Sequence, residues 1–372
     1  MPDGGANVMP SLARKGRGAV TNPGIRYETT RTEALDDGWG TLAAEFADLP
    51  PLPTTLTREH ARSALSWNDS PDIGFDRSLN PYRGCEHGCI YCYARPAHAY
   101  VGLSPGLDFE TRLMFKPNLP ELLEKELSKP GYVPKPVALG ANTDPYQPVE
   151  RTLGITRRVL EVLERFGHPV TIVTKGALVL RDIDILKRLA ERRLVHVCLS
   201  VTTLDTKLAR VMEPRAANPL KRLAAVTELA KAGIPVGVLA APMIPALNDM
   251  ELERILEASA RAGASRAGYV LLRLPLEIKE MFEAWLAEHH PDRAARVLAL
   301  VRETRGGRLY DSRFGQRQTG TGPYAELLAQ RFRIALRRYR LEGRKTGGGM
   351  SEALDCSQFQ APRAAARQLQ LL

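Results

Sequence analysis

The chain has 372 residues, enough for one large domain with extensions, and its 44% hydrophobic and 25% charged content is that of an ordinary globular protein. No apolar run approaches the roughly 20 residues that span a bilayer, and Met1-Pro-Asp-Gly-Gly5 lacks the basic-then-apolar pattern of a secretory signal, so a cytoplasmic protein with no membrane contact is expected. The net charge of +10 is uneven: residues 313–372 hold eleven Lys and Arg against four Asp and Glu, which suits either an anionic partner such as DNA or a solvated helix face.

Residues 1–50 are rich in Gly, Pro and charge and show little periodicity. Lys15–Pro23 reads as an irregular arm, either disordered or laid on the surface of the folded core. From about residue 77 strands and helices alternate. Val137-Ala-Leu-Gly-Ala141 is a short apolar run, and a helix is expected over Thr152–Phe166. Pro169–Thr174 is β-branched and strand-like, followed by a helix over Asp182–Glu191. Leu194–Val201 is a buried strand, and a later helix stops near Gly233, before the strand Ile234–Ala240. A helix over Asp249–Ala262 leads to the strand Ala267–Leu272. With one strand entering Cys85 the count is six, which implies a parallel α/β sheet closed into a partial (β/α)6 TIM-like barrel. Its active site belongs at the C-terminal ends of the strands. Helices dominate Glu277–Thr304, a Gly/Arg-rich segment comes next, and a helix runs from Pro323 to about Leu341. Tyr324, Leu328, Phe332, Ala335 and Tyr339 form one stripe of that helix, expected to pack on the barrel, while Arg333, Arg337 and Arg340 fall on another face. The organisation expected is an N-terminal arm over 1–70, a core over 71–305, a helical basic extension over 306–346 and a flexible tail over 347–372.

The chemistry concentrates in Asn80-Pro-Tyr-Arg-Gly-Cys-Glu-His-Gly-Cys-Ile-Tyr-Cys-Tyr-Ala-Arg-Pro96. Cys85, Cys89 and Cys92 are spaced C-x3-C-x2-C, and Gly84 and Gly88 let the loop fold tightly. Each iron of a [4Fe–4S] cubane needs a ligand, so three thiolates leave one iron open to bind a small molecule. The competing reading is a zinc knuckle completed by His87 or His98. A disulfide framework does not fit five cysteines in a chain this long. Cys198 reads as a core residue and Cys356 as a free thiol.

Polar residues recur at the other strand ends. Gly140-Ala-Asn-Thr-Asp-Pro-Tyr-Gln-Pro-Val-Glu150 comes after the second strand and reads as a site or as a helix cap around Asp144. Thr174-Lys175 ends the third strand, and Ser200 with Thr202 ends the fourth. Lys175 could reach a carboxylate or sit in water. Arg215, in Glu213-Pro-Arg215, could clamp a carboxylate with its planar fork or lie on the surface.

The cysteine spacing with its preceding aromatic resembles the radical S-adenosylmethionine (SAM) superfamily. With Ala138–Glu150, Val173–Gly176, Glu213–Arg215, Ala241–Asp249 and Tyr310-Asp-Ser-Arg-Phe-Gly315, the chain looks like the proteins related to spore photoproduct lyase, above all the PA0069-type (Rv2578c-like) subgroup. The resemblance implies that Cys85, Cys89 and Cys92 hold a [4Fe–4S] cluster whose open iron chelates the amine and carboxylate of SAM. It further implies reductive cleavage to a 5′-deoxyadenosyl radical, which abstracts hydrogen from substrate, with an electron donor such as flavodoxin or ferredoxin. By the same resemblance Tyr91 faces the adenine, and Thr143, Lys175 and Ser200 are SAM-contacting polar groups; Asn142 and Asp144 at the second strand end and Arg215 as a carboxylate clamp are assigned to the SAM site with them. Tyr93 corresponds to a tyrosine near the lyase's radical relay. One departure stands out: Ala141 occupies the place of the lyase's hydrogen-donating cysteine, which puts photoproduct reversal by the same relay in doubt.

The end of the chain, Gln368-Leu-Gln-Leu-Leu372, is similar to the Q-L-x-L-F peptide that docks bacterial polymerases and repair proteins on the sliding clamp, with Leu372 in place of Phe. Gln368, Leu369, Leu371 and Leu372 would be its anchors. The expected function is therefore a radical SAM enzyme acting on a nucleic-acid base, as in DNA repair. The alternatives are the same chemistry on a peptide or small molecule, or a cluster-bearing accessory protein on DNA.

Overall fold

The computed structural model describes residues 14–27, 52–343 and 354–361. Six parallel strands form its centre: β1 (Arg77–Leu79), β2 (Val137–Leu139), β3 (Val170–Thr174), β4 (Val195–Ser200), β5 (Val236–Met243) and β6 (Arg266–Leu271). They neighbour one another in chain order, as right-handed βα units require. A helix succeeds each of the first five: α1 (Leu119–Leu127), α2 (Ile155–Arg165), α3 (Ile183–Glu191), α4 (Pro219–Lys231) and α5 (Leu252–Arg261). Beyond β6 come α6 (Ile278–His289), α7 (Pro291–Glu303) and α8 (Pro323–Tyr339). This is a partial (β/α)6 barrel. Strand Leu65–Trp67 adds an antiparallel edge to β1, and Glu342–Gly343 adds a short parallel one to β6.

The strands are near-continuous apolar runs because helices cover one side and the barrel interior the other. Ile172, Val197, Leu199 and Val238 are fully buried in a cluster shared with Val159, Leu163, Leu186, Leu229 and Ile255 from α2 to α5. The expected helix over Thr152–Phe166 is divided. Gly154 adopts the left-handed conformation (φ 61°) and ends a short turn, Glu150–Leu153, before α2 starts. The Glu150 carboxylate then accepts from the Thr156 amide at 3.0 Å, an orphan donor of α2.

The C-terminal helix carries the stripe its periodicity indicates. Leu328, Phe332 and Ala335 are buried in the main cluster, and Arg333 and Arg337 are exposed. Tyr324 donates to Asp249, and Arg331 pairs with Glu253 at 2.7 Å, fixing α8 on α5. Six strands leave a lateral gap between β1 and β6, and the segment before α8 bridges it. The Leu271 amide donates to the Gln318 carbonyl at 2.8 Å, while Arg317 pairs with Asp72 at 2.6 Å in the connection that precedes β1. At the opposite end of the strands, residues 354–361 lie under the barrel: the Asp355 amide reaches Arg193 O and the Gln360 amide Phe166 O, both ahead of strand starts.

Because Leu328 sits in the shared core, Leu328→Ala is expected to destabilise the whole domain by about 2–5 kcal/mol. The check is the urea midpoint monitored by tryptophan fluorescence. An unchanged midpoint would show that α8 unfolds independently.

Candidate iron–sulfur and SAM site

The cysteine loop starts where Tyr82–Arg83 ends, above β1, and every side of it is tied down. The Cys85 amide donates to Phe109 O at 2.9 Å, and the Ile90 amide to Met212 O at 3.1 Å. The segment after β2 supplies five ties from four residues. The Thr143 hydroxyl donates to Tyr82 O at 3.0 Å, and the Tyr82 hydroxyl to the Glu150 carboxylate. Gln147 accepts from the Glu86 amide at 2.9 Å and donates to Gly84 O at 3.2 Å. Asp144 lies 3.2 Å from His87 Nδ1. The T-D-x-Y-Q-P-x-E pattern is therefore a cradle for the cysteine loop.

Asp144 also joins two strand ends, since it accepts from the Thr174 hydroxyl and the Lys175 amide, each at 2.7 Å. Burial alone would raise its pKa, but His87 and these hydrogen bonds outweigh it and hold the carboxyl at about 2. His87 is thus committed to Asp144, and His98 directs Nε2 to Arg112 O at 3.0 Å.

A buried pair beneath the loop does comparable work on the other side. Arg95 and Glu110 are both fully buried and 2.5 Å apart. Arg95 donates to Cys89 O, Pro105 O and Gly106 O, and Glu110 accepts from the amides of Gly18 and Ala19. The arm the sequence left open, disordered or surface-laid, thereby enters the core: Arg17, Ala19 and Val20 are buried. A Cβ on Gly18 would stand 1.8 Å from Gly88 O, between the first two cysteines.

Cys85 and Cys89 are buried and Cys92 is half-buried, all as free thiols. Burial is the main cause that raises all three above the ordinary thiol range, Cys89 to about 12, with neighbouring negative charge adding for Cys85 and Cys89. Three thiolates here call for a multivalent cation. Among the described residues no three His, Cys, Asp or Glu side chains are arranged to hold a single metal ion. A cubane makes a different demand, one thiolate per iron, and the three-cysteine loop fits it.

Beside Cys92 stand two tyrosines. Tyr91 is 8% exposed, and its hydroxyl donates to Glu213, which also accepts from Thr202 and pairs with fully buried Arg222. Burial would raise the Glu213 pKa, yet Arg222 and then Lys175 bring it to about 2. The Lys175 ammonium lies 5.6 Å from the Tyr91 ring centre. Tyr93 is 48% exposed and donates to Ala141 O, with the Arg273 guanidinium 5.2 Å from its ring centre. Ser200 is buried, and its carbonyl accepts from Arg222 at 2.9 Å. Asn142 is exposed, its amide on Asn80. Arg215 pairs with Glu86 at 3.0 Å and its amide holds His87 O. The structure thus brings Tyr91, Lys175 and the thiols together, and turns Thr143, Asp144 and Arg215 toward the loop that carries those thiols. Sequence reasoning gave no role to Glu110, Gln147 or Arg222, whose partners are 15, 61 and 9 residues away. It placed Glu213 only as a neighbour of Arg215.

The Radical SAM superfamily model matches residues 79–258. The uncharacterized protein Rv2578c of Mycobacterium tuberculosis is 36% identical over 273 residues, covering 73% of this chain and 76% of that protein. The uncharacterized protein MJ0683 of Methanocaldococcus jannaschii is 28% identical over 173 residues, 46% of this chain and 62% of that one. Among solved structures, spore photoproduct lyase complexed with dinucleoside spore photoproduct has a TM-score of 0.55 at 16% identity, covering 77% of this chain and 81% of that one. A mutant lyase with bound AdoMet and the same dinucleoside gives 0.56 at 15% identity, covering 80% and 87%. The chain belongs to the radical SAM superfamily, among the Rv2578c-like proteins. Members of that superfamily use a [4Fe–4S] cluster and SAM.

Gly18→Ala is expected to push the arm off the cysteine loop and to lower the iron and sulfide retained per chain after reconstitution, with a stability loss of about 1–3 kcal/mol. Gly24→Ala, with no atom near the new methyl, is the control. Full iron loading in Gly18→Ala would show that the arm does not shape the loop.

Proposed function

We propose that this radical SAM enzyme acts on a nucleic-acid base. The observation that carries the enzyme reading is the three-thiol loop at the barrel mouth, with Lys175 and Tyr91 facing it from the third strand and the loop itself. Cys85, Cys89 and Cys92 hold the cluster. When bound, the cluster and SAM supply a one-electron cleavage of the sulfonium and a 5′-deoxyadenosyl radical, given an external electron donor. The protein's part is to place and shield. Lys175 offers a charge for the SAM carboxylate, Tyr91 offers a buried aromatic wall, and the Glu213–Arg222 pair keeps that wall from moving.

The nucleic-acid substrate is supported by the lyase fold, seen in complex with a dinucleoside photoproduct, and by the basic C-terminal sixth of the chain. It is also supported by an exposed aromatic pair on the rim: Tyr27 and Tyr100 are 58% and 70% exposed, with ring centres 5.7 Å apart. A base inside a duplex would have to be extruded to reach the mouth, which costs a few kcal/mol and favours damaged or unpaired sites. Ala141, beside the Tyr93 hydroxyl, offers no thiol, so the reaction proposed differs from cysteine-relayed photoproduct reversal.

The clamp-like peptide, Gln368, Leu369, Leu371 and Leu372, lies outside the described residues. Residues 354–361, upstream of it, are anchored under the barrel, where Phe359 packs on Tyr132 and His168.

Two measurements test the reading. Anaerobically reconstituted protein with dithionite is expected to release 5′-deoxyadenosine from SAM, and the Cys85→Ala/Cys89→Ala/Cys92→Ala variant to release none; equal product from both would end the assignment. Leu369→Ala with Leu371→Ala is expected to abolish binding to immobilised sliding clamp, and failure of the intact protein to bind would remove the clamp from its partners.

A further inference from the structure

We propose that Arg273 is the anchor for a phosphate group of the substrate strand at the barrel mouth. The inference rests on the nucleic-acid reading above. Arg273 stands two residues beyond β6, on the active-site end of the strands. Its Nε is buried without a hydrogen-bond partner, and among the described residues the guanidinium makes no hydrogen bond or ion pair; its contact is the Tyr93 ring.

The surroundings make a buried donor without a partner costly. Arg305 is buried beside it and directs its Nη donors to Leu271 O, Leu272 O and Gln316 O. Burial, and then the charge of Arg273, bring the Arg305 pKa down to about 10. The nearby carboxylate, Asp311, is engaged by Arg313 at 2.6 Å. Two guanidiniums thus share one end of the barrel, neither with a carboxylate within ion-pair distance among the described residues. A planar fork stacked on an aromatic ring presents its outer N–H groups to phosphate in the two-pronged mode.

Two features assign that anion to substrate rather than to SAM. Cys92 lies between two cation–tyrosine pairs: Lys175 on Tyr91 is the buried one, and Arg273 on Tyr93 the half-exposed one. The Tyr93 hydroxyl is fixed on Ala141 O, so the outer pair is held across the mouth from β6 to β2. Four residues past Arg273, Glu277 pairs with Arg26 at 2.7 Å, and that guanidinium lies 4.9 and 5.3 Å from the exposed rings of Tyr27 and Tyr100. A charge followed by aromatic faces along one rim is the pattern that tracks a single strand by phosphate and base.

The test uses reconstituted holoenzyme and a short fluorescein-labelled oligodeoxythymidylate, with anisotropy read over a range of salt. Arg273→Gln is expected to weaken binding about tenfold at low salt and to reduce the log–log salt slope by about 0.7, one phosphate's share on a single strand. Arg273→Lys, which keeps the charge without the fork, is expected to retain the slope and recover part of the affinity. Lys125→Gln removes the same charge on the exposed face of α1 and is expected to leave the slope unchanged. Wild-type binding with the same slope in Arg273→Gln would overturn the anchor and leave the nucleic-acid reading standing. No binding by wild type, or binding of an acidic peptide in its place, would overturn both. If Arg273→Gln loses its cluster, the Arg273→Lys slope decides: a slope lowered as by charge loss counts against a phosphate contact.

Discussion

The buried pair of Arg95 and Glu110 holds the functional end of this protein together. Neither side chain reaches water, and nearly every polar atom of the pair is used: Arg95 gathers three backbone carbonyls, and Glu110 gathers two backbone amides from the N-terminal arm. A buried ion pair without such satisfaction would destabilise the fold, because desolvating two charges exceeds what their attraction returns. With it, the pair fixes the cysteine loop, the segment around Pro105 and Gly106 and the N-terminal arm to one another. Removing either partner would leave an unpaired buried charge, at about 3–5 kcal/mol. The cysteine loop is thereby tied to the arm and to the segment around Pro105 and Gly106 by protein groups.

The same logic of commitment sorts the side chains around the loop. Asp144, Thr143, Gln147, Glu213 and Arg215 are all bonded to protein groups, and they set positions. Lys175 and Arg273 are the cations held by tyrosine faces, which leaves their donors available. Their tyrosines flank Cys92, one buried and one half-exposed, so a single three-residue stretch carries an inner and an outer cation–tyrosine pair.

The two ends of the barrel carry different groups. The mouth carries thiols, cations and aromatic faces, and Asp72–Arg317 closes the lateral gap beside it. Residues 354–361 pack at the opposite end, through Phe359 and Gln358.

Much of this architecture was legible in the sequence. The six strands and their order derive from apolar runs alternating with amphipathic helices, and the cysteine loop from spacing alone, because both depend on neighbours in the chain. The polar residues at the ends of β2, β3 and β4 were legible as a group for the same reason. Their individual bonds were not. Whether Asp144 meets a ligand or His87, and whether Glu213 is free or locked by Arg222, depends on which loops the barrel folds side by side. The arm around Gly18 gave no periodic signal, since its place is set by two amides meeting one distant carboxylate. Arg273 looked like any arginine after a strand until tertiary structure put it over the Tyr93 ring with, among the described residues, no acid within ion-pair distance. Sequence determined the scaffold and the metal-binding chemistry through local spacing and periodicity; the tertiary structure decided which charges pair with protein groups and which rest on aromatic faces, because pairing is a property of distance in space.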